Sequence, residues 1–179
     1  YAAAQSNIGM LYEKGHGVPT DYKTAIKWYR LAAEQGYAVA QTNLGAMFYS
    51  GLGVTKDYQT AMKWYRLAAE QGYAVAQHNL GVLYDEGAGV PTDYQTAMKW
   101  YRLAAEQGYS FAQNNMGVMY FSGLGVPEDH KTAMRWFKLA AEQGYDVAQR
   151  NLGEMFIEDS VFQSLLALIF DDEQGVFCL

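Results

Sequence analysis

The chain has 179 residues, a net charge of −6 and one cysteine, Cys178. A lone cysteine excludes an internal disulfide, and no stretch reaches the roughly 20 continuous apolar residues of a membrane-spanning helix. All 13 Lys and Arg, but only 13 of the 19 Asp and Glu, fall within residues 1–150, so a neutral body with an acidic end offers no electrostatic footprint for nucleic acid.

The phrase DYKTAIKWYRLAAEQG opens at Asp21. It recurs as DYQTAMKWYRLAAEQG at Asp57 and Asp93, and as DHKTAMRWFKLAAEQG at Asp129. The spacing is 36 residues throughout, the mark of an array of stacked units in which length sets the number of units. The array is expected over residues 1–157, as units 1–36, 37–72, 73–108 and 109–144 and a partial fifth, 145–157, with an atypical segment 158–179 after it.

Each unit reads as two helices. The first, AVAQTNLGAMFYSG in the second copy, keeps Ala40, Leu44, Met47 and Phe48 on one side, the spacing of an amphipathic helix. The turns GHGV, GLGV, GAGV and GLGV, from Gly15, Gly51, Gly87 and Gly123, end it, because glycine accepts the left-handed conformation that closes a helix. Pro19, Pro91 and Pro127 delay the next helix. Asp21, Asp57, Asp93 and Asp129 then stand where a short carboxylate caps free N–H groups. The second helix carries Ala61, Met62, Trp64, Tyr65 and Ala68 on more than one side, as a helix wedged between neighbours does. Helices of about 12 and 15 residues, roughly 18 and 22 Å long, are expected.

The pattern A-x-x-x-L-G-x-x-Y/F-x-x-G-x-G-V-x-x-D-x-x-x-A-x-x-W-Y/F-x-x-A-A-E-Q-G resembles the Sel-one-like repeat family, a relative of the tetratricopeptide repeat, four times over. The resemblance implies an all-α fold, a right-handed α/α superhelical solenoid, with the first helices lining a concave surface. It also implies a role as an adaptor for other proteins. Tyr37, Tyr73, Tyr109 and Tyr145 depart from it, standing where many members place a small or polar residue able to cap the first helix. The cysteine pairs of the secreted branch are absent, and with them the antibiotic-hydrolysing activity attached to that branch.

Positions fixed by stacking are the same in every copy, and positions free for binding can differ. One first-helix stripe differs strongly: Ser6, Met10 and Glu13; Thr42, Ala46 and Tyr49; His78, Val82 and Asp85; Asn114, Val118 and Phe121; Arg150, Glu154 and Ile157. Beside it stand Asn7, Asn43, Asn79, Asn115 and Asn151. These rows are the expected ligand groove, with Asn amides for a peptide backbone and Met10, Tyr49 and Phe121 as apolar anchors. A surface drifting in sequence, and Asn bonded between helices, is the competing reading.

The basic strip of Lys27, Arg30, Lys63, Arg66, Lys99, Arg102, Arg135 and Lys138 reads as a solvated face, neutralised by Glu34, Glu70, Glu106 and Glu142 four residues on. His16, His78 and His130 occupy different unit positions, which gives a metal no converging ligands, and no acid and base pair can be singled out. The expectation is a non-enzymatic, cofactor-free protein that binds a protein or peptide. A cell-envelope component binding glycan through its tyrosines, or an enzyme-associated regulatory module, is the alternative. Bacterial cytoplasm, periplasm and secretion are all compatible with the sequence. The last segment contains VFQSLLALIF from Val161 and then Asp171, Asp172 and Glu173. It is expected to cap the array or to pair with a second copy.

Overall fold

The computed structural model describes residues 1–157. Eight helices follow one another as α1 Ala2–Lys14, α2 Tyr22–Ala33, α3 Ala38–Ser50, α4 Tyr58–Glu70, α5 Ala74–Glu86, α6 Tyr94–Glu106, α7 Ser110–Phe121 and α8 His130–Glu142. A ninth, α9, is described over 146–157. Among the described residues there is no strand, and the all-α solenoid read from the sequence is the observed architecture. Segment 158–179, the expected cap or self-association element, lies outside the described residues.

The odd-numbered first helices begin at Tyr37, Tyr73 and Tyr109 without a side-chain cap. The even-numbered second helices are capped in every copy. The Asp21 carboxylate accepts the Thr24 N–H at 3.1 Å and the Thr24 hydroxyl at 2.6 Å, and Asp57, Asp93 and Asp129 repeat the pair with Thr60, Thr96 and Thr132. The threonine hydroxyl is the largest cause holding each carboxyl below its ordinary range. These helices run 12 or 13 residues, shorter than the 15 expected. They stop early because the Gly36 N–H turns onto Ala33 O at 3.0 Å and the Tyr37 N–H onto Ala32 O at 3.2 Å, the paired closure in which a left-handed glycine ends a helix.

The second glycine of the turns in the second, third and fourth units, Gly53, Gly89 and Gly125, has a role beyond stopping the helix. A Cβ on Gly53 would lie 2.6 Å from Tyr22 Cβ, and one on Gly89 2.7 Å from Tyr58 Cβ. The turn of one unit therefore sits on the start of the preceding unit's second helix.

The core lies between units. Ala25, Ile26, Tyr29, Ala32 and Ala33 of α2 form one buried cluster with Ala40, Leu44 and Met47 of α3, and Trp64 of the second unit packs against it. Trp100 and Trp136 do the same for the next two clusters. Each tryptophan thus joins its unit to the one before. Full burial of a large apolar side chain is worth about 1.5–3 kcal/mol, and here most of it depends on the neighbour being present. First helices also touch one another, α1 with α3 and α3 with α5, which puts them on the inner side of the curved stack.

Candidate functional site

One row of first-helix residues faces the ring of the second helix. The Tyr29 hydroxyl donates to Glu13 at 2.5 Å and the Tyr101 hydroxyl to Asp85 at 3.0 Å. In the second unit Tyr49 takes the acid's place and donates onward to Glu86 of the third unit at 2.6 Å. In the fourth both members are phenylalanine, Phe121 and Phe137. An acid accepts the tyrosine hydroxyl in the first and third units, whereas the second unit sets Tyr49 opposite Tyr65 and the fourth sets Phe121 opposite Phe137. Burial is the first cause raising the Asp85 carboxyl above its ordinary range, and burial followed by Glu86 pushes Tyr49 up to about 12. The rings fit because Gly9, Gly45, Gly81 and Gly117 lie under them. A Cβ on Gly81 would come within 2.6 Å of the Tyr101 ring.

The asparagine row has partners within the fold. Asn43 lies beside the Tyr29 hydroxyl and Asn115 beside the Tyr101 hydroxyl, each reaching toward the preceding unit. Asn79 bonds His78 Nδ1 at 3.2 Å, the Asn115 amide lies 3.3 Å from His78 Nε2, and Asn151 donates to Asn114 Oδ1 at 2.9 Å. Asn7 is exposed. The amides join units, but four hydrogen-bonding positions per side chain leave capacity beyond these bonds.

The first position of the variable stripe is not a groove position. Thr42 is 3% exposed and Asn114 5%, and Thr42 spends its hydroxyl on Ala38 O at 2.8 Å. Both are closed under the adjoining unit and beyond the reach of a ligand. His78 sits among the Tyr101, Tyr109 and Phe111 rings, with centroids 5.6, 5.3 and 6.1 Å away. Sequence variation at this position reflects what fits the seam between units. Met10, by contrast, is 42% exposed.

Two surface features stand at opposite ends of the first helices. At their starts Tyr109 stacks on Phe111 at 5.3 Å and Phe111 meets Tyr145 at 4.6 Å, with Phe111 itself exposed. At their ends Tyr49 packs on Tyr58 at 5.4 Å beside Glu86, and Phe121 stacks on His130 at 4.9 Å. The expected residues thus fall into a buried pair, Thr42 and Asn114, a half-buried set of His78, Tyr49, Asp85 and Phe121, and the exposed Asn7 and Met10. Phe111 is a residue that sequence reasoning missed, and its signal was the reading SFAQ where the second and third copies have AVAQ.

A glutamine relay was missed as well. Gln77 donates to Ala69 O at 3.2 Å and accepts from Gln107 at 2.7 Å, and Gln41 and Gln113 repeat the arrangement with Gln71 and Gln143. Each of these buried amides satisfies the closing carbonyl of one second helix and is held by the end of the next. The expected neutralisation of the basic strip is corrected. Of this strip, among the described residues, only Lys138 pairs with its glutamate, Glu142, at 3.9 Å, since exposed pairs gain little against side-chain entropy. Arg66 and Arg102 donate instead to the Tyr84 and Tyr120 hydroxyls at 3.0 and 3.2 Å. No described helix is long and apolar enough to cross a membrane.

The family profile described as Sel1 repeat matches residues 2–37, 38–73, 74–109 and 110–145. Among solved structures, the chain is similar to a Sel1 repeat protein from Oxalobacter formigenes, at 42% identity and TM-score 0.83 over 89% of this chain and 63% of that one. It is also similar to c5321, a protective antigen of uropathogenic Escherichia coli strains with an SLR fold, at 39% identity and TM-score 0.79 over 87% of this chain and 33% of that one. Cysteine rich protein B of Helicobacter pylori shares the fold, at 24% identity and TM-score 0.59 over 74% of this chain and 96% of that one. The chain thus spans less than two thirds of the length of the first two. No curated protein sequence matches it.

Proposed function

The chain belongs to the Sel1 repeat family, and from that premise we propose that it is a non-catalytic scaffold binding a peptide or partner protein across the inner surface of its first helices. Proteins of this family generally serve as protein-interaction scaffolds. The observation that carries the reading is the division of the variable stripe. Copies agree on the second helices and in the relay, and they differ at exposed or half-buried inner positions: Met10 against Val82 and Val118, and Tyr49 against Asp85 and Phe121.

Binding on this reading is static, because a preformed surface loses little conformational freedom when it captures a ligand. Met10, Tyr49, Phe111 and Phe121 supply apolar anchors. Asp85 and Glu86 supply negative charge that favours basic or N–H-rich partners. Asn7, Asn43, Asn79, Asn115 and Asn151 offer their remaining amide capacity to a peptide backbone. Thr42 and Asn114 leave the proposed site, and His78 supports it from beneath.

The glycan alternative draws on the rings of Tyr109, Phe111 and Tyr145, but those rings lean on one another and do not stand as separate stacking platforms. The test is selection of binders from a random peptide library on the immobilised chain. Affinities for Y49A/F121A and F111A follow, with circular dichroism as the folding control. A loss of tenfold or more in a folded variant supports the reading, and unchanged affinity in all of them removes these residues from the site.

A further inference from the structure

The outer face carries a feature that the inner-surface reading does not use. Leu31, Leu67, Leu103 and Leu139 of the second helices are 45–46% exposed, although the same leucine is kept in every copy. Leu103 lines a cavity of about 470 Å³ with Met98, Lys99, Arg102 and, from the next unit's turn, Gly125 and Val126. An equivalent cavity of about 310 Å³ lies among Ile26, Lys27, Arg30, Gly53 and Val54. It recurs because the first helices approach one another on the inside, which splays the second helices and leaves a wedge at each seam. The floor is apolar and the rim is basic. Among the described residues no carboxylate forms an ion pair with Lys99 or Arg102.

We infer that the α6 groove, the larger of the two, receives the segment Val161 to Glu173 of a second copy of this chain. That segment has the matching composition: ten residues, VFQSLLALIF, of which only Gln163 and Ser164 are polar, followed by Asp171, Asp172 and Glu173. An apolar floor takes the run and a basic rim takes the acids. The occupant comes from another copy because only residues 158–160 separate α9 from the run. The four steps from residue 157 to Val161 span about 14 Å at most. The groove is lined by the third unit and the fourth unit's turn, whereas α9 opens the fifth, and two units of packed helices at about 8–10 Å each exceed that reach.

The test is sedimentation equilibrium by analytical ultracentrifugation on the full chain over a concentration series. The expected result is reversible self-association, weakened at least tenfold by K99E/R102E and equally by D171K/D172K/E173K. Mixing these two charge-reversed variants restores association, because the reversed groove of one then meets the reversed segment of the other. K27E/R30E, on the smaller groove, is expected to change it less than threefold. Both groove pairs are exposed, and thermal unfolding verifies that the variants fold. A chain that stays monomeric throughout would overturn the inference, the outcome expected if the segment covers its own last unit. So would association indifferent to K99E/R102E, mixing without restoration, or an equal effect of K27E/R30E.

Discussion

The Tyr101 hydroxyl donates to the half-buried Asp85 carboxylate at 3.0 Å, and the corresponding residues one unit later, Phe137 and Phe121, form the same contact with no polar atom. The pair is thus solved in two ways within one chain. Removing only the hydroxyl leaves the acid without its donor, at a cost of about 1–3 kcal/mol. Tyr101→Phe is therefore expected to lower stability by that amount in urea unfolding. Y101F/D85F, which copies the fourth unit, is expected to recover most of the loss, and strict additivity of the two substitutions would contradict the account.

Gly81→Ala tests the packing beneath that ring. The added methyl would meet the buried Tyr101 ring at 2.6 Å, so the gain in helix propensity is outweighed by overpacking of about 1–3 kcal/mol. A reduced melting temperature is expected, and an increase would contradict the close approach.

His78 gives the array a pH dependence whose sign is fixed by its burial, which lowers its pKa below the ordinary value near 6.5. The unfolded chain then binds the proton more readily than the folded one. The stability contributed by neutral His78 is fully present above about pH 6.5 and falls as pH drops below it. Asp85, whose carboxyl is raised by burial, acts in the opposite direction at lower pH, so the comparison of wild type with His78→Asn isolates the histidine. The difference in melting temperature between the two is expected to shift in favour of the variant between pH 7 and pH 5.5. A constant difference would place His78 in a solvated setting.

The glutamine relay couples units, and Gln77→Leu removes the bonds of Gln77 to the Ala69 carbonyl and the Gln107 amide, which keep only the Gly72 N–H and the Leu103 carbonyl. The expected loss is about 1–3 kcal/mol, with a lower urea m-value as unfolding becomes less cooperative along the stack. An unchanged m-value would contradict a coupling role.

The frame was legible in the sequence because stacking imposes the same demands on every unit. The 36-residue period, the Asp caps and the G-x-G-V stops needed only propensity and spacing. The relay of Gln41, Gln77 and Gln113 was just as regular but unreadable, because a repeated glutamine looks the same whether it faces solvent or bridges helix ends. The candidate site was legible in part. Met10 is exposed and Tyr49 and Phe121 are half-buried, whereas Thr42 and Asn114 share their helical stripe and are covered by the adjoining unit, which a single-helix periodicity does not contain.

The central claim is that the inner surface of the first helices is where a partner binds. It is tested most directly by amide chemical-shift mapping of the chain with a peptide selected from a random library. The account predicts shifts concentrated on the first helices around Met10, Asn43, Tyr49, Phe111 and Phe121, with the second helices quiet. Shifts confined to the outer leucines Leu31, Leu67 and Leu103, or a library that yields no binder, would contradict it.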